Sequence, residues 1–364
     1  MTSMTLQRSD VIVGIDTHKD EHVAVAIDGL GGIIGNPQFM AANPDGYAEL
    51  LAWADSLGDV YAFGVEGCGS YGSGLAKFLR RHDRTVHEVA RPPRKGERRM
   101  SGKSDSIDAE HAARVVLSGK GTSTPKLADG VVEALRLVKI ARDTAVKNRA
   151  ATMVTLKAVI VTATDELRHS IEDFSNPNLI KACAALQPVG DIADPETAMR
   201  YTLASLAHRY IDYSDEIDLH TRHLKTLTKQ AAPQLLERFG VGFDSAAEML
   251  ITAGDNSDRI RSEAAFAKLC GVCPIPAGSG RTSGRHRLNR GRNRQANAAL
   301  YRVVIVRMRW HPPTIAYVER RTAEGLTKKD IIRCLKRFVA REIYDHLPKP
   351  SNPKTPPKES LITP

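Results

Sequence analysis

The chain has 364 residues, of which 42% are hydrophobic, and it carries a formal net charge of +10 at pH 7. This length exceeds one ordinary hydrophobic core, so we expect two or three domains. No apolar run is long enough to cross a bilayer and the N-terminus lacks a signal-peptide pattern, so we expect a cytoplasmic protein with no membrane partner. The positive charge favours a polyanionic partner.

The first third of the chain predicts a mixed α/β domain. Apolar runs bounded by polar turns indicate strands, and Asn43-Pro44-Asp45-Gly46 is typical of a helix start. In order, we expect strands at Val11–Asp16, His22–Ile27 and Ile33–Met40, a helix, a strand at Val60–Glu66, a helix at Tyr71–Arg81 and a strand at Thr85–Ala90. This is the order of a ribonuclease-H-like (RuvC-like) domain, in which strands one and four lie side by side.

Four acids in this region predict a metal site. Asp16 and Glu66 each end an apolar strand, and Asp105 and Asp108 share one face of a helix that begins near Ser104. Mg²⁺ takes oxygen ligands, and two such ions about 3.5–4 Å apart can bind the attacking and leaving oxygens of a phosphoryl displacement. Because clustered carboxylates repel one another, the four acids make sense mainly with cations present.

Two other interpretations of these acids stay open at this point. Each acid taken singly is typical of an ordinary strand-end or first-turn residue. The start Gly14-Ile15-Asp16 also occurs in sugar-kinase and actin-like folds. Those folds need a second Asp-Gly-Gly phosphate loop, and the sequence offers none further along.

A basic segment precedes the acidic helix and is broken by Pro and Gly. A solvated loop is one interpretation, and a surface that contacts the phosphate backbone is the other. As nucleic-acid-binding residues of this segment we expect Arg94, Lys95, Arg98, Arg99 and Lys103.

The middle of the chain predicts long helices, over about Gly130–Ser170 and Glu196–Phe239. In the second helix, apolar residues recur every seven positions at Leu203, Tyr210, Ile217 and Leu224, with companions three residues later at Leu206, Tyr213 and Leu227. This pattern favours a coiled-coil arm. One sequence leaves open whether the seam packs within the chain or against a second subunit.

The last third combines a turn, a serine and many arginines. The turn Phe239–Phe243 between two helices resembles a helix-hairpin-helix element, whose backbone N–H groups contact phosphate.

Ser279 and Ser283 each lie beside glycine among guanidinium groups. This setting suits a nucleophile that attacks phosphate, and it equally suits a turn serine without a role. For nucleic-acid binding we expect Arg281, Arg285, Arg287, Arg290, Arg292 and Arg294, since no acid appears from Arg281 to Arg309. A disordered basic loop is the alternative.

Two smaller features carry less weight. Cys270 and Cys273 have zinc-ligand spacing without a second ligand pair, so we expect two buried small residues. The tail is rich in Pro and Lys and is expected to be disordered. The expected domains are residues 8–125, a helical linker over 126–232, a helical C-terminal domain over 233–345, and the tail 346–364.

Taken together, these motifs resemble the DEDD transposases of the insertion-sequence 110 family, including its 1111 group. The resemblance covers nearly the whole chain except the termini. It rests on Gly14-Ile-Asp16-Thr-His-Lys, Val65-Glu66-Gly67, Lys103-Ser-Asp105-Ser-Ile-Asp108-Ala, the stretch Ala265-Phe266-Ala267 to Gly271, and the Ser279-Gly block running to Asn297-Ala-Ala-Leu-Tyr301.

The resemblance implies a RuvC-like N-terminal domain, a coiled-coil linker and a C-terminal transposase domain. It implies a bacterial, nucleoid-associated recombinase that excises and inserts its own element, guided by a structured noncoding RNA. It also implies that Asp16, Glu66, Asp105 and Asp108 bind Mg²⁺ and that Ser279 forms a covalent phosphoserine link, with Ser283 in reserve. A homo-oligomer of dimers that pair into a tetramer would be expected.

Two alternatives come from other classes of protein. One is a metal-dependent junction nuclease that hydrolyses DNA with water and needs no serine. The other is a non-catalytic nucleic-acid-binding protein whose acids are structural. The effects of Ser279→Ala and Asp16→Asn on cleavage separate these classes.

Overall fold

The computed structural model describes residues 7, 9–90, 104–256, 259–278, 286–287, 289 and 293–348. The chain forms two compact units, Met1–Leu127 and Ala128–Pro364, which we call the first unit and the second unit. The expected division of the second unit near residue 232 stays a prediction. Of the expected disordered tail, residues 349–364 lie outside the described residues, whereas residues 346–348 are described and Leu347 is buried in the core of the second unit.

The first unit is a mixed α/β domain around a six-stranded sheet of order β3-β2-β1-β4-β5-β6. Strand β1 pairs with β2 in antiparallel and with β4 in parallel, and β4 pairs with β5 in parallel. The expected adjacency of strands one and four is therefore confirmed, and the order is consistent with a RuvC-like domain. Its elements are β1 (Asp10–Thr17), β2 (Glu21–Ile27), β3 (Ile33–Ala41), α1 (Pro44–Ser56), β4 (Asp59–Glu66), α2 (Ser73–Arg81), β5 (Val86–Val89), α3 (Asp105–Ser118) and β6 (Thr122–Ser123).

The two faces of the sheet pack against different helices because side chains alternate along a strand. On β1, Val11, Val13 and Ile15 share a core with residues of α1 and α2. Ile12 lies on the opposite face, in a cluster with Ala112 of α3. By the same alternation, the even-numbered positions of β1 and β4 face α3.

Helix α3 lies against β1 and β4 at two glycines. A Cβ built on Gly14 would come within 2.1 Å of the Ala109 carbonyl oxygen, and one on Gly64 within 2.8 Å of the Ala112 carbonyl oxygen. Both distances are shorter than real Cβ contacts, so only glycine permits this approach. The face of α3 at this contact is made of small residues, which brings the helix backbone down onto the sheet.

The second unit is mostly helical, and its longest helix ends earlier than expected. We expected one helix from about Glu196 to Phe239, but α7 ends at Ala231 because Pro233 lacks an N–H group and restricts Ala232. The elements are α4 (Val131–Val161), α5 (Asp165–Ile171), α6 (Asn176–Ala184), α7 (Pro195–Ala231), α8 (Pro233–Leu236), α9 (Phe243–Ala253), α10 (Glu263–Leu269), β7 (Ile275–Pro276), β8 (His286–Arg287), α11 (Arg294–Trp310), α12 (Pro312–Ala323) and α13 (Lys328–Asp345).

The heptad row of α7 packs within the chain, against α4. Leu203 and Leu224 are fully buried, in clusters with Leu156 and Leu135 of α4, respectively. The second buried row differs from the expected one: Ala207 and Thr228, four residues after the first row, are buried. The expected companions Leu206, Tyr213 and Leu227 are half-buried.

Polar contacts explain this shift of the seam. Arg142 of α4 donates to Thr221 Oγ1 at 2.9 Å, and Arg149 donates to Ser214 Oγ at 3.3 Å. Both acceptors lie in the row that also contains Ala207 and Thr228, so small and hydroxyl side chains accommodate the arginines. Supercoiling of the two helices stays a prediction. No described helix has the length and apolar character needed to cross a bilayer.

Candidate functional site

The sheet brings Asp16 and Glu66 to one edge on one face. In the parallel register, Ile15 lies opposite Val65, so Asp16 and Glu66 follow at the same level of neighbouring strands. Both occupy even-numbered positions and therefore face α3. The Thr17 hydroxyl donates to the Glu66 carbonyl oxygen at 2.9 Å, which fastens the two strand ends together.

Helix α3 adds Asp105 and Asp108 from its first turn. His18 links this helix to β1, since its Nε2 lies 3.2 Å from Asp16 Oδ2 and 3.5 Å from Asp105 Oδ1. Ligand atoms of Asp16, His18 and Asp105 lie within 4.8 Å of one another. Among the described residues, Asp16 and Asp105 are thus the predicted ligands that the structure brings to one point.

The electrostatics of Asp16 show a carboxylate held among like charges. Burial raises the pKa of Asp16 above its ordinary value, His18 lowers it, and the nearby carboxylates of Asp108 and Asp105 raise it further. The Asp16 side chain is 11% exposed, whereas that of Asp105 is 45% exposed. A divalent cation would offset both the burial and the repulsion.

The donor set suits such a cation. Asp16, Asp105 and Asp108 offer carboxylate oxygens on the α3 side of the sheet, and Glu66 is a buried carboxylate at the end of the adjacent strand. Hard divalent ions such as Mg²⁺ take oxygen ligands of this kind. The four predicted acids therefore fit a magnesium site, and their roles as ligands stay a prediction.

Sequence reasoning placed Gly14 and His18 in a motif without giving either a role, and it missed Gly64. His18 lies two residues after Asp16, directly past the end of β1, and its nearness to that acid in the sequence was the available signal. Gly14 and Gly64 precede Asp16 and Glu66 by two residues each, a repeated Gly-x-acid pattern. The pattern indicates close approach of another element next to each acid.

Several predicted residues lie outside the described part of the chain. They are Arg94, Lys95, Arg98, Arg99, Lys103, Ser279, Arg281, Ser283, Arg285, Arg290 and Arg292. Ser279 and Ser283 fall within the sequence that connects β7 to β8, which pair through Ile275–Arg287 and Pro276–His286. The structure therefore describes the two strands on either side of the serine segment.

Three asparagines spaced four apart fix the flanks of the serine segment. Asn289 Nδ2 donates to the Lys268 carbonyl oxygen at 3.1 Å and to Cys273 Sγ at 3.4 Å. Asn297 Nδ2 donates to the carbonyl oxygens of Cys270 at 2.9 Å and Gly271 at 3.2 Å.

The third asparagine joins the same flank to the rest of the unit. The Asn293 backbone N–H donates to the Leu269 carbonyl oxygen at 3.2 Å, and its side chain caps α11 by accepting from the Ala296 N–H at 3.0 Å. Residues on both sides of the serines are thereby tied to the end of α10. Sequence reasoning placed Asn297 in a motif but assigned none of the three this role.

Cys270 and Cys273 differ in burial. Cys270 is fully buried, as expected, and burial raises the pKa of its thiol to about 12. Cys273 is half-buried, contrary to expectation, and its sulfur accepts a hydrogen bond from the Asn289 side chain. Among the described residues, no cysteine belongs to a group that could hold a metal ion.

The arginines of the last third fall into two groups. Arg287 and Arg294 are exposed and available to a polyanion. Arg302 and Arg307 lie in the same acid-free stretch of sequence, but acids from other elements neutralise them. Arg302 pairs with Asp244 at 2.9 Å.

Arg307 is buried and serves the core of the second unit. It binds the Glu342 carboxylate through two nitrogens at 2.6 and 3.1 Å, and its Nε donates to the Phe239 carbonyl oxygen at 2.8 Å. Burial raises the pKa of Glu342, but the Arg307 guanidinium more than offsets it and holds the pKa below the ordinary value. Arg307 thus fixes α11 to α13 and to the turn before α9.

That turn differs from the expected helix-hairpin-helix element in its first helix, since α8 spans only Pro233–Leu236. Gly240 adopts a positive φ of 74°, and Val241 is buried beneath the turn. Asp244, in the first turn of α9, pairs with Lys139 at 2.8 Å and Arg142 at 3.4 Å. Phosphate contact by this turn stays a prediction.

Comparison with protein families adds two matches, the first of which extends from the first unit into the second. Residues 13–164 match the DEDD transposase model of the IS110 type, which is described as a transposase. Residues 232–319 match the model described as "Transposase IS116/IS110/IS902 family". The first match includes Asp16, Glu66, Asp105 and Asp108, and the second includes Ser279. No curated protein is significantly similar to the chain.

Proposed function

Since the chain belongs to the IS110 family of transposases, we propose that it cleaves and rejoins DNA as the site-specific recombinase of an insertion sequence. The observation that carries this proposal is the meeting of Asp16 with Asp105 across His18, on a sheet whose next strand ends in Glu66. Such a group of carboxylates is the donor set that phosphoryl transfer with Mg²⁺ requires.

In the proposed reaction, Asp16, Glu66, Asp105 and Asp108 would hold two Mg²⁺ ions. When bound, Mg²⁺ stabilises negative charge on the attacking and leaving oxygens of the phosphodiester. The carboxylates keep the ions in place, and the α3 backbone, seated on Gly14 and Gly64, sets the spacing between the acids of the helix and those of the strands.

We propose Ser279 as the nucleophile. Its Oγ gives up a proton and forms a bond to the DNA phosphorus, and the bond from phosphorus to the leaving strand oxygen breaks as that oxygen takes up a proton. The phosphoserine link conserves the energy needed for rejoining. Support comes from the chemistry of the Ser-Gly sequence and from the asparagines that fix both flanks of this segment.

The partners follow from this chemistry. Element ends and target DNA would contact Arg287, Arg294 and the basic residues outside the described part of the chain, and a structured RNA of the element would guide target choice. Strand exchange requires several active sites, so a dimer that pairs into a tetramer is proposed. With DNA as substrate, the protein would act at the nucleoid, in the bacterial cytoplasm.

A cleavage assay on the element's junction DNA, with Mg²⁺ and the flanking noncoding RNA, tests the proposal. Asp16→Asn and Ser279→Ala should each abolish strand cleavage, while Arg333→Met, on the exposed side of α13, should not. Cleavage that survives Ser279→Ala would establish a hydrolytic junction nuclease instead. Tight DNA binding without cleavage by the wild type would establish a non-catalytic binding protein.

A further inference from the structure

His18 lies where a third ligand of a shared ion would lie. Its Nε2 is 3.2 Å from Asp16 Oδ2 and 3.5 Å from Asp105 Oδ1. Neighbouring ligands of an octahedral ion with bonds of about 2.1 Å are about 3.0 Å apart. The two separations exceed that edge length by about 0.2 and 0.5 Å, so the imidazole nitrogen lies near the spacing of an adjacent ligand to each of the two carboxylates.

The backbone fixes His18 in this place. Its N–H donates to the Glu21 carbonyl oxygen at 3.1 Å, which closes the tight turn between β1 and β2 directly after Thr17. The turn is itself held by the pairing of Thr17 with His22. His18 is therefore attached to the rigid end of the strand that carries Asp16, and its position depends little on side chains elsewhere.

We propose that His18 is a metal ligand of this site and that its nitrogen makes the site prefer Mn²⁺ to Mg²⁺. The proposal rests on the carboxylate metal site of the proposed function and adds the identity of a ligand and of the preferred ion. Mg²⁺ takes oxygen ligands almost exclusively, whereas divalent transition ions accept imidazole beside carboxylates. A mixed set of two carboxylates and one imidazole thus favours the transition ion.

The plain alternative is that His18 only pairs with the two acids when no metal is bound. In that case a cation would displace the imidazole, and the ion would have oxygen ligands alone. The two roles predict the same distances in the absence of metal and different atoms bound to the ion in its presence. A measurement that detects nitrogen on the ion decides between them.

Pulsed EPR of Mn²⁺ bound to the full-length chain supplies that measurement, together with calorimetric titration of Mn²⁺ and Mg²⁺. The wild type should show ¹⁴N coupling to Mn²⁺, and His18→Gln should abolish it. We expect His18→Gln to lower the affinity for Mn²⁺ by on the order of tenfold or more. The affinity for Mg²⁺ should fall less, because the Gln side-chain carbonyl still offers an oxygen ligand. The control His82→Gln removes an exposed histidine of the same unit and should change neither result.

Each result has a distinct meaning. Coupling that is present in the wild type and in His82→Gln but absent in His18→Gln supports the proposal. If Asp16→Asn weakens Mn²⁺ binding but the wild type shows no ¹⁴N coupling, the His18 proposal is overturned. The carboxylate site then still stands. Binding of Mn²⁺ that is indifferent to Asp16→Asn overturns the carboxylate site and the His18 proposal together.

Discussion

Replacing Gly14 by alanine should push α3 off the sheet and separate the acids. The new Cβ would lie 2.1 Å from the Ala109 carbonyl oxygen and 2.2 Å from the Ala113 nitrogen, and real Cβ atoms do not come closer than 3.0 Å. The helix backbone must therefore retreat by about 0.9 Å, because backbone atoms, unlike a side-chain end, cannot rotate away. Asp105 and Asp108 would move with it, away from Asp16.

Two consequences of this shift can be measured. Overpacking of this kind costs about 1–3 kcal/mol of stability, which urea unfolding of the full chain would detect. Misplacement of catalytic groups by about 1 Å costs on the order of 100-fold in rate, so junction cleavage should fall by that factor. Metal affinity should fall as well, since strand and helix ligands no longer share one ion.

Substitutions at two further glycines serve as comparisons for Gly14→Ala. A Cβ on Gly64 would lie 2.7 Å from Val116 Cγ2 and 2.8 Å from the Ala112 carbonyl oxygen, so Gly64→Ala should have a smaller effect. Gly69, in the turn after β4, has no atom within 4 Å of such a Cβ, so Gly69→Ala should be nearly neutral. Equal stability, metal affinity and cleavage in Gly14→Ala and Gly69→Ala would show that the Gly14 contact does not position α3.

Three further predictions concern single side chains. Since the pKa of Asp16 is raised above its ordinary 3.8, the folded state favours its protonated form. Protonated Asp16 therefore stabilises the folded state fully below pH 3.8. This contribution is lost as the pH rises through the raised pKa of the folded state. Asp16→Asn should then raise the melting temperature in EDTA at pH 7 but remove the metal-induced rise, roughly 10 °C at 100 times Kd; an unchanged metal effect would contradict this. Arg307→Met should destabilise the chain by about 2–3 kcal/mol in urea, less than a fully buried pair because Glu342 is 33% exposed. Exposed Arg333→Met should cost under about 1 kcal/mol, and equal losses would count against the burial argument. Asn297→Ala should cost about 1–2 kcal/mol because the Cys270 and Gly271 carbonyls lose their donor, and an unchanged urea midpoint would show that this contact contributes nothing.

The strands and the acids they deliver could be predicted because their signals are local. The apolar runs before Asp16 and Glu66, and the order of elements, were sufficient to predict that strands one and four lie side by side with both acids at one edge. The Asn43 cap likewise predicted the start of α1, and its side chain accepts from the Gly46 N–H at 2.9 Å. Such features depend on neighbours within a few residues.

The remaining features depend on contacts between distant parts of the chain. His18 became visible as a site residue only once α3 placed Asp105 beside it. Arg302 and Arg307 look like a charge run in the sequence, yet their partners, Asp244 and Glu342, lie 58 and 35 residues away. Which row of α7 is buried also depends on α4, because the arginines of α4 donate hydrogen bonds to the row that carries hydroxyl side chains.

Covalent trapping of the protein on DNA is the decisive experiment for cleavage by a serine nucleophile. The full chain would be incubated with junction DNA, Mg²⁺ and the flanking RNA, digested with nuclease and protease, and examined by mass spectrometry for a nucleotide-modified peptide. We expect a phosphodiester link at Ser279 that disappears in Ser279→Ala and in Asp105→Asn. Cut DNA without any protein adduct, or an adduct that maps to Ser283, would contradict it.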